Sequence, residues 1–230
     1  MQRAVVIVAG GVGSRMNADI PKQFIAVNKK PLIVYTIAAF IEIEDFNFSE
    51  FVIVCHQDYI KQLEDILSTY FKGVNFILVA GGKSRFQSCF KGLKAIAARE
   101  NKLVAIHDAA RPLISKQLII SVFEAAQIHQ TAIPVINFKD SVRLIVEGTK
   151  DSKIVDRSRL RLVQTPQCFN HTKLLQAYED AINNNEHNFT DDASVWEALH
   201  HQVFLCEGEA NNIKVTAPFD LKLVEVLLQM

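Results

Sequence analysis

A glycine-rich loop with two basic residues beside it lies close to the start of the chain. The loop comprises residues 9–13, Ala-Gly-Gly-Val-Gly, and Arg15 and Lys22 follow within a few positions. Glycines after a β-strand allow positive φ angles and bring backbone N–H groups close to a phosphate. The pattern favours a site for a phosphate-bearing ligand, and a plain glycine-rich turn with surface charges is the alternative.

Two familiar glycine motifs do not fit this chain. A dinucleotide fingerprint that begins at Gly11 would require glycine or alanine at Met16, and the second strand ends in Cys55-His56 without an acidic residue for a ribose. The run Gly82-Lys83-Ser84 is like the end of a P-loop, but Ile77 stands where the earlier glycine must be. The sequence therefore supports neither an NAD enzyme nor a P-loop NTPase.

Two charged residues stand where chemistry is expected. Asp108 follows a predicted buried strand, at the edge of an open α/β sheet where ligands bind. A carboxylate there suits a hydrated Mg²⁺ that also contacts substrate phosphates, and the N-cap of a following helix is the alternative role. Lys214 lies between Ile213 and Val215, where a lysine is unfavourable unless it points into a site. A lysine at a strand edge is the alternative there.

Short apolar runs alternate with helical patterns along the first 135 residues. The runs are rich in β-branched residues, as strands buried on both faces should be, and lie at 4–8, 51–55, 76–79, 103–106 and 132–135. Helical patterns lie between them at 32–40, 59–70, 86–98 and 116–127. This order predicts an α/β, Rossmann-like fold: a mostly parallel twisted sheet with helices on both faces.

The pattern changes in residues 137–164, which predict a β-arm that leaves the sheet. Val142, Leu144 and Val146 alternate there with more polar positions, so one face of the arm requires a partner. A second subunit and the arm's own domain are both suitable partners. The chain then returns to regular elements, with a helix at 172–183, a strand at 203–206 and an amphipathic helix from Phe219.

The composition is that of an ordinary globular protein, and residues 1–230 are expected to form a single domain. The 25 basic and 25 acidic residues cancel, which removes the long-range field of a nucleic-acid or membrane binder. No apolar run approaches the ~20 residues that span a bilayer. The four cysteines form no CxxC pair and lie among apolar residues, so we expect free thiols in a cytoplasmic protein.

Nine motifs are spread in order over nearly the whole chain. They are Gly11-Val12-Gly13-Ser14-Arg15-Met16, Pro21-Lys22-Gln23, Gly81-Gly82-Lys83-Ser84-Arg85, His107-Asp108-Ala109-Ala110-Arg111-Pro112, Asp140-Ser141, Asp156-Arg157, Thr165-Pro166-Gln167, Phe189-Thr190-Asp191-Asp192-Ala193-Ser194, and Glu207-Gly208-Glu209 with Asn212-Ile213-Lys214-Val215-Thr216. Nine motifs in the right order are far more specific than any one of them. Together they resemble the 2-C-methyl-D-erythritol 4-phosphate cytidylyltransferase family of non-mevalonate isoprenoid synthesis.

The resemblance implies a nucleotidyltransferase that joins CTP to a small polyol phosphate with Mg²⁺ as its cofactor. It implies catalytic roles for Arg15, Lys22 and Lys214, whose charges would bring two anions together. It implies nucleotide binding by Ala9, Gly10, Gly11, Gly13, Gly82, Ser88 and Asp108. Asp108 is also the implied metal ligand. The role of Arg85 stays open between structural support of its loop and a part in the site, and His107 is interpreted as structural.

The resemblance further implies an acceptor site and a homodimer. The implied contacts to the acceptor phosphate are Arg111, Asp140, Ser141, Arg157 and Thr190. A surface salt bridge is the alternative role for Arg111. The family more usually has threonine at the position of Ser141, so this contact keeps its hydroxyl but loses a methyl group. Since Arg157 lies on the predicted arm, the resemblance implies that the arm reaches into a neighbouring subunit.

Three other functions remain open from the sequence. A ribitol 5-phosphate cytidylyltransferase shares the fold and much of the loop. A sugar-1-phosphate nucleotidylyltransferase that uses UTP or dTTP is a further relative, and the short length of 230 residues, without an added C-terminal domain, counts against it. A nucleotide-binding regulator without catalysis is the third, although it would have no need to keep Arg15, Lys22, Asp108 and Lys214 together.

Overall fold

The apolar runs of the sequence form strands of a central sheet in a computed structural model. It describes residues 1–11, 20–43, 46–97, 102–199 and 201–229. The strands of the described residues are β1 Arg3–Ala9, β2 Ala26–Val27, β3 Lys30–Pro31, β4 Phe48–Cys55, β5 Phe76–Ala80, β6 Leu103–Asp108, β7 Thr131–Asn137, β8 Val142–Ile145, β9 Ser152–Val155, β10 Arg161–Val163, β11 Gln167–Asn170 and β12 Leu205–Glu207.

The central sheet has eight strands within the described ranges. Its order is β10-β7-β11-β6-β1-β4-β5, and β12 pairs with β7 in addition. The strands β4, β1 and β6 pair in parallel, as do β4 with β5 and β12 with β7. The prediction of a mostly parallel sheet is therefore confirmed. Within the described part of this central sheet, the antiparallel pairs all involve β10 or β11, two strands that the sequence did not predict.

Helices cover both faces of the sheet, as predicted. They are α1 Leu32–Ile41, α2 Ile60–Tyr70, α3 Arg85–Lys94, α4 Lys116–His129, α5 His171–Asn183, α6 Asp192–Glu197 and α7 Pro218–Leu227. Side chains of α1, α2 and α4 form one apolar cluster, and those of α3, α5 and α6 form another. Alternate residues of β1 point into the two clusters, because Val5 and Ile7 belong to the first and Ala4 and Val6 to the second.

The predicted arm is a two-stranded antiparallel hairpin, but it is shorter than residues 137–164. Strands β8 and β9 pair from Val142 with Val155 to Ile145 with Ser152, whereas β10 has already returned to the central sheet. Leu144 and Ile154 are 62% and 67% exposed, so the described residues of the arm's own domain leave them uncovered. Alternation places these two side chains on opposite faces of the hairpin, so the prediction of one apolar face is too simple.

Two further features concern the chain as a whole. None of the described helices is long and apolar enough to cross a membrane. All four cysteines are free, as the sequence predicts, and three of them are buried.

Candidate functional site

A cavity opens where the carboxyl ends of the parallel strands meet. Strand β1 ends at Ala9 beside Asp108 at the end of β6, and the loop after β5 lies at the same edge because Gly81 N–H donates to the carbonyl of Cys55 at 2.8 Å. The cavity has a volume of about 400 Å³. Of the predicted nucleotide-binding residues, it is lined by Ala9, Gly10, Gly11, Gly82, Ser88 and Asp108.

The predicted catalytic residues divide between this cavity and the undescribed part of the loop. Lys22 and Lys214 both line the cavity. Arg15, and with it the nucleotide-binding Gly13, lies outside the described residues. The structure therefore brings two of the three predicted catalytic cations together with the nucleotide loop.

The loop after β5 is held by the first turn of α3. Ser88 is buried, its Oγ accepts from Gly82 N–H at 3.0 Å, and it donates to the carbonyl of Ser84 at 2.9 Å. A Cβ on Gly82 would overlap the side chain of Gln87, whose Oε1 in turn accepts from Lys83 N–H at 2.8 Å. The backbone here is fixed tightly enough to present peptide groups at set positions, which recognition of a base requires.

Asp108 is a buried carboxylate surrounded by three cations. Its Oδ2 lies 2.7 Å from Lys214 Nζ and 3.8 Å from Arg111 Nε, and its Oδ1 lies 3.4 Å from Arg85 Nε. Burial alone would raise the pKa of Asp108, but Arg85 and then Lys214 outweigh it and hold the pKa well below its usual range. Asp108 is therefore ionised at neutral pH, and a buried anion of this kind is stable only with such partners.

The alternative role of Asp108 as a helix cap does not hold. The N-cap of α4 is Ser115, whose Oγ accepts from Leu118 N–H at 3.0 Å. Asp108 is instead the last residue of β6 and lines the cavity. Its carboxylate therefore stands at the cavity wall, paired with its three cations, rather than capping a helix.

The residues at the cavity fit a magnesium ion only together with a phosphate ligand. Within the described part of the chain, no three His, Cys, Asp or Glu side chains gather into a metal site. Asp108 is a single ionised carboxylate, and Mg²⁺ in proteins takes one or two carboxylates plus waters and substrate phosphates. This donor set suits an ion that arrives with a nucleotide.

Lys22 and Lys214 are fixed by the same short segment. Lys22 Nζ donates to the carbonyl of Val215 at 2.6 Å, and Val215 N–H donates to the carbonyl of Ala110 at 2.8 Å. The segment around Lys214 belongs to no strand, so the strand-edge interpretation of this lysine is wrong. Its ammonium group instead turns toward Asp108.

A second cavity of about 300 Å³ adjoins the first. Three residues line both cavities and form the shared wall: Arg85, Asp108 and Lys214. Of the predicted acceptor residues, Arg111 and Thr190 line this second cavity. A surface salt bridge does not describe Arg111, because it is only 8% exposed and donates through Nη1 to the carbonyl of Asn212 at 2.7 Å.

The other three predicted acceptor residues lie away from both cavities. Asp140 and Ser141 precede β8 and are exposed, and Arg157 begins a short 3₁₀ turn after β9. Arg157 Nη1 donates to the carbonyl of Lys139, so these residues are neighbours at the base of the arm. None of the three lines either cavity as the described residues form it. The predicted acceptor set is therefore split within one chain.

Three residues near the site were given no definite chemical role by the sequence: the role of Arg85 stayed open, Asp192 was named only within a motif, and His107 was interpreted as structural. Arg85 lies in the shared wall, and its Nη2 is 2.6 Å from Oδ2 of Asp192, which is fully buried. Asp192 belongs to a recognised motif, but nothing in its type or spacing indicates a partner 107 positions away. His107 is also fully buried, with ring nitrogens 3.0 Å from Thr165 Oγ1 and 3.2 Å from the carbonyl of Arg111. His107 lines neither cavity, and its ring supports two residues that do line the second one, Thr165 and Arg111.

Comparison with known proteins gives a consistent result over the whole chain. The family model described as "IspD: 2-C-methyl-D-erythritol 4-phosphate cytidylyltransferase" matches residues 3–230. Curated proteins of that name are 42% identical in Phocaeicola vulgatus and 38% identical in Bacteroides thetaiotaomicron, and each alignment covers 99% of this chain and 100% of the relative.

Solved structures agree with the sequence relatives. A crystal structure of 2-C-methyl-D-erythritol 4-phosphate cytidylyltransferase from Thermus thermophilus is 33% identical, with a TM-score of 0.80 and full coverage of both chains. The 4-diphosphocytidyl-2C-methyl-D-erythritolsynthase of Anaerococcus prevotii is 27% identical, with a TM-score of 0.85, and the alignment covers 100% of this chain and 96% of that one.

Proposed function

Because this chain belongs to the 2-C-methyl-D-erythritol 4-phosphate cytidylyltransferase family, we propose that it transfers the cytidylyl group of CTP to 2-C-methyl-D-erythritol 4-phosphate. The products are 4-diphosphocytidyl-2-C-methyl-D-erythritol, an isoprenoid precursor, and pyrophosphate. The observation that carries the proposal is the wall of Arg85, Asp108 and Lys214, which separates a glycine-lined cavity from a second cavity with Arg111 and Thr190.

The proposed reaction needs charge and position rather than a general base. A phosphate oxygen of the acceptor attacks the α-phosphorus of CTP, the new P–O bond forms, and the bond to pyrophosphate breaks. The acceptor phosphate is already an anion, so no proton has to leave it. Lys22 and Lys214 would offset the repulsion between the two phosphates and the charge on the departing pyrophosphate. The predicted role of Arg15 is the same.

We propose Mg²⁺ as the cofactor, held by Asp108 together with phosphate oxygens of CTP. When bound, the ion neutralises negative charge on the triphosphate. The low pKa of the Asp108 carboxyl keeps this ligand ionised. A cytoplasmic location likewise stays a prediction, which the four free cysteines favour.

The arm is proposed to complete the acceptor site of a second copy. Asp140, Ser141 and Arg157 lie away from the cavities of their own chain, and the hairpin beyond them exposes Leu144 and Ile154. A symmetric dimer would cover these apolar side chains and bring the three polar residues to the partner's second cavity. This proposal accounts for an acceptor set that one chain does not assemble.

Release of pyrophosphate tests the proposed function. Purified protein is incubated with Mg²⁺ and CTP, and with either 2-C-methyl-D-erythritol 4-phosphate or D-ribitol 5-phosphate; parallel reactions replace CTP with UTP or dTTP. Turnover with CTP and the methylerythritol phosphate is expected. Preference for ribitol phosphate would move the chain to that activity, and turnover with UTP or dTTP would indicate a broader nucleotidylyltransferase. Binding of CTP without any turnover would favour a regulator.

A further inference from the structure

A buried acidic residue outside both cavities contacts the wall between them. Asp192 is fully buried at the start of α6 and accepts two hydrogen bonds, one from Tyr178 OH to Oδ1 and one from Arg85 Nη2 to Oδ2, both at 2.6 Å. Arg85 in turn lies 3.4 Å from Asp108 through Nε. One guanidinium group therefore bridges a carboxylate in the shared wall and a carboxylate behind it.

The geometry indicates that the two carboxylates compete for Arg85. Charge-assisted N–H···O bonds are typically about 2.7–2.9 Å long. The contact of Arg85 with Asp192 is of this strong kind, whereas its 3.4 Å approach to Asp108 is not. Without the Asp192 carboxylate, Arg85 would lose this stronger partner, and its guanidinium group would be drawn to pair fully with Asp108. The Asp108 carboxylate would then be less available to Lys214 or to a ligand.

The same contact joins the two cavities mechanically. Arg85 is the first residue of α3, whose first turn also carries Ser88 at the nucleotide loop. Asp192 is two residues from Thr190, which lines the second cavity. A second link runs in parallel, because the Phe86 ring stacks on Phe189 at 5.4 Å. The position of the Thr190 segment is therefore tied to the position of the nucleotide loop.

We propose that Asp192 is a positioning residue for the transfer reaction, which holds the Arg85 guanidinium in the wall between the two cavities and keeps it from closing on Asp108. The proposal rests on the proposed function. Asp192 acts through Arg85, so it should influence the rate of transfer far more than the binding of CTP. A merely structural residue at this place would affect thermal stability without such selectivity.

Steady-state kinetics of Asp192→Asn tests the proposal. The substitution removes the charge that holds Arg85 and keeps the size of the side chain. We expect kcat to fall by about tenfold or more, since small displacements of positioning groups can cost up to ~10² in rate. The KM for CTP should change by less than roughly threefold, because binding common to ground and transition states is retained.

A matched control separates position from stability. Tyr178→Phe removes the other hydrogen bond to the same carboxylate but leaves the ion pair with Arg85. It should lower the midpoint of thermal unfolding and leave kcat within about twofold of the wild type, because a hydrogen bond remote from the reacting atoms mainly supports folding. An equal loss of kcat in both variants would overturn the proposal.

A double variant shows whether Asp192 acts through Arg85. In an Arg85→Gln background, Asp192→Asn should cause no further loss of kcat, and an additional loss of tenfold or more would overturn the inference. The double variant buries no unpaired charge, so it remains informative where a single variant does not fold. If a single variant does not fold, the kcat of the double variant is compared with that of the wild type. An equal kcat would refute the proposal, and a loss of about tenfold or more would support it.

The proposed function and this inference fail in different ways. If wild-type protein gives no turnover with any acceptor, the proposed function fails and the positioning role fails with it. If wild-type protein turns over normally while Asp192→Asn keeps its kcat, only the positioning role is wrong.

Discussion

Charged residues are held differently in two regions of the molecule, the wall shared by the two cavities and the β-arm. Asp108 is buried and touches three cations of its own chain, so its geometry is settled before any ligand arrives. Arg157 and Asp140 lie at the base of an exposed hairpin, and neither lines a cavity as formed by the described residues. One region is preorganised within a single chain, whereas the other carries a cation suited to a phosphate, Arg157, away from both cavities of the described residues.

This difference indicates which part of the reaction each region serves. Attack on CTP demands charges that are already in position, since electrostatic stabilisation is largest where groups need not reorganise. In the proposed dimer, an element of the second subunit would contribute to recognition of the acceptor.

The largest effect is expected from Lys214→Ala. The substitution removes the closest cation of Asp108 and a charge that faces both cavities. We expect kcat to fall by about 10²–10³, the usual cost of removing one group that stabilises transition-state charge. Lys222→Ala is the matched control, because this exposed lysine of α7 lies outside both cavities. Equal activity of Lys214→Ala and Lys222→Ala would refute the role of the wall.

A more selective effect is expected from Arg157→Ala on the arm. The KM for the acceptor should rise by roughly 10- to 100-fold, the cost of losing one charge-assisted contact to a phosphate. The KM for CTP should stay unchanged, because the arm does not line the nucleotide cavity. Arg159→Ala, in the same 3₁₀ turn, is the control. A parallel rise of both KM values would mean that the arm does not serve the acceptor specifically.

The smallest effect concerns the stability of the protein in acid, through the buried side chain of His107. Burial lowers the pKa of His107 from its usual value to about 4, so the folded state holds this ring neutral. Neutral His107 contributes fully to the free energy of unfolding above pH ~6.5, which is the pKa of histidine in the unfolded chain. This contribution is lost as the pH falls through about 4, the pKa in the folded state. The free energy of unfolding should therefore decrease by up to about 3 kcal/mol over this window.

Denaturant unfolding at several pH values measures that decrease. His107→Gln should flatten the pH dependence relative to wild-type protein. His171, whose pKa is also lowered by burial, is present in both proteins and cancels in the difference. Parallel pH profiles for the two proteins would show that His107 does not titrate as proposed.

The predictability of the fold follows from how each strand is buried. Strands β4 and β6 carry apolar runs that enter both core clusters, so their pattern alone predicted them. Strand β11 escaped prediction because Gln167 is polar although it is buried. Its side chain finds hydrogen-bond partners only in a segment distant along the chain: Nε2 donates to Asp191 Oδ2 at 2.8 Å, and Oε1 accepts from Ala193 N–H at 3.0 Å. Local pattern carries no information about such distant partners.

Part of the site was predictable because some of its residues are conspicuous in the local sequence pattern. Lys214 stood out as a charge within an apolar stretch, and Asp108 stood out at the end of a strand. The pair of Arg85 and Asp192 did not stand out, because each residue is an ordinary charge at the start of a helix until the fold brings them to 2.6 Å. The split of the acceptor residues was implied only by the family resemblance, which placed Arg157 on an arm that reaches another subunit. Order along the chain alone does not give it, since it depends on where the arm leaves the sheet.

Subunit complementation tests the central claim, a site that combines the wall of one chain with the arm of another. Lys214→Ala and Arg157→Ala chains are produced together and assayed at low acceptor concentration, against each variant alone. Mixed dimers would hold one site with an intact wall and an intact arm, so about a quarter of wild-type activity should return. Lys214→Ala mixed with Asp108→Asn, two wall variants, should stay inactive. Activity of the first mixture no greater than the average of its two variants would contradict the account.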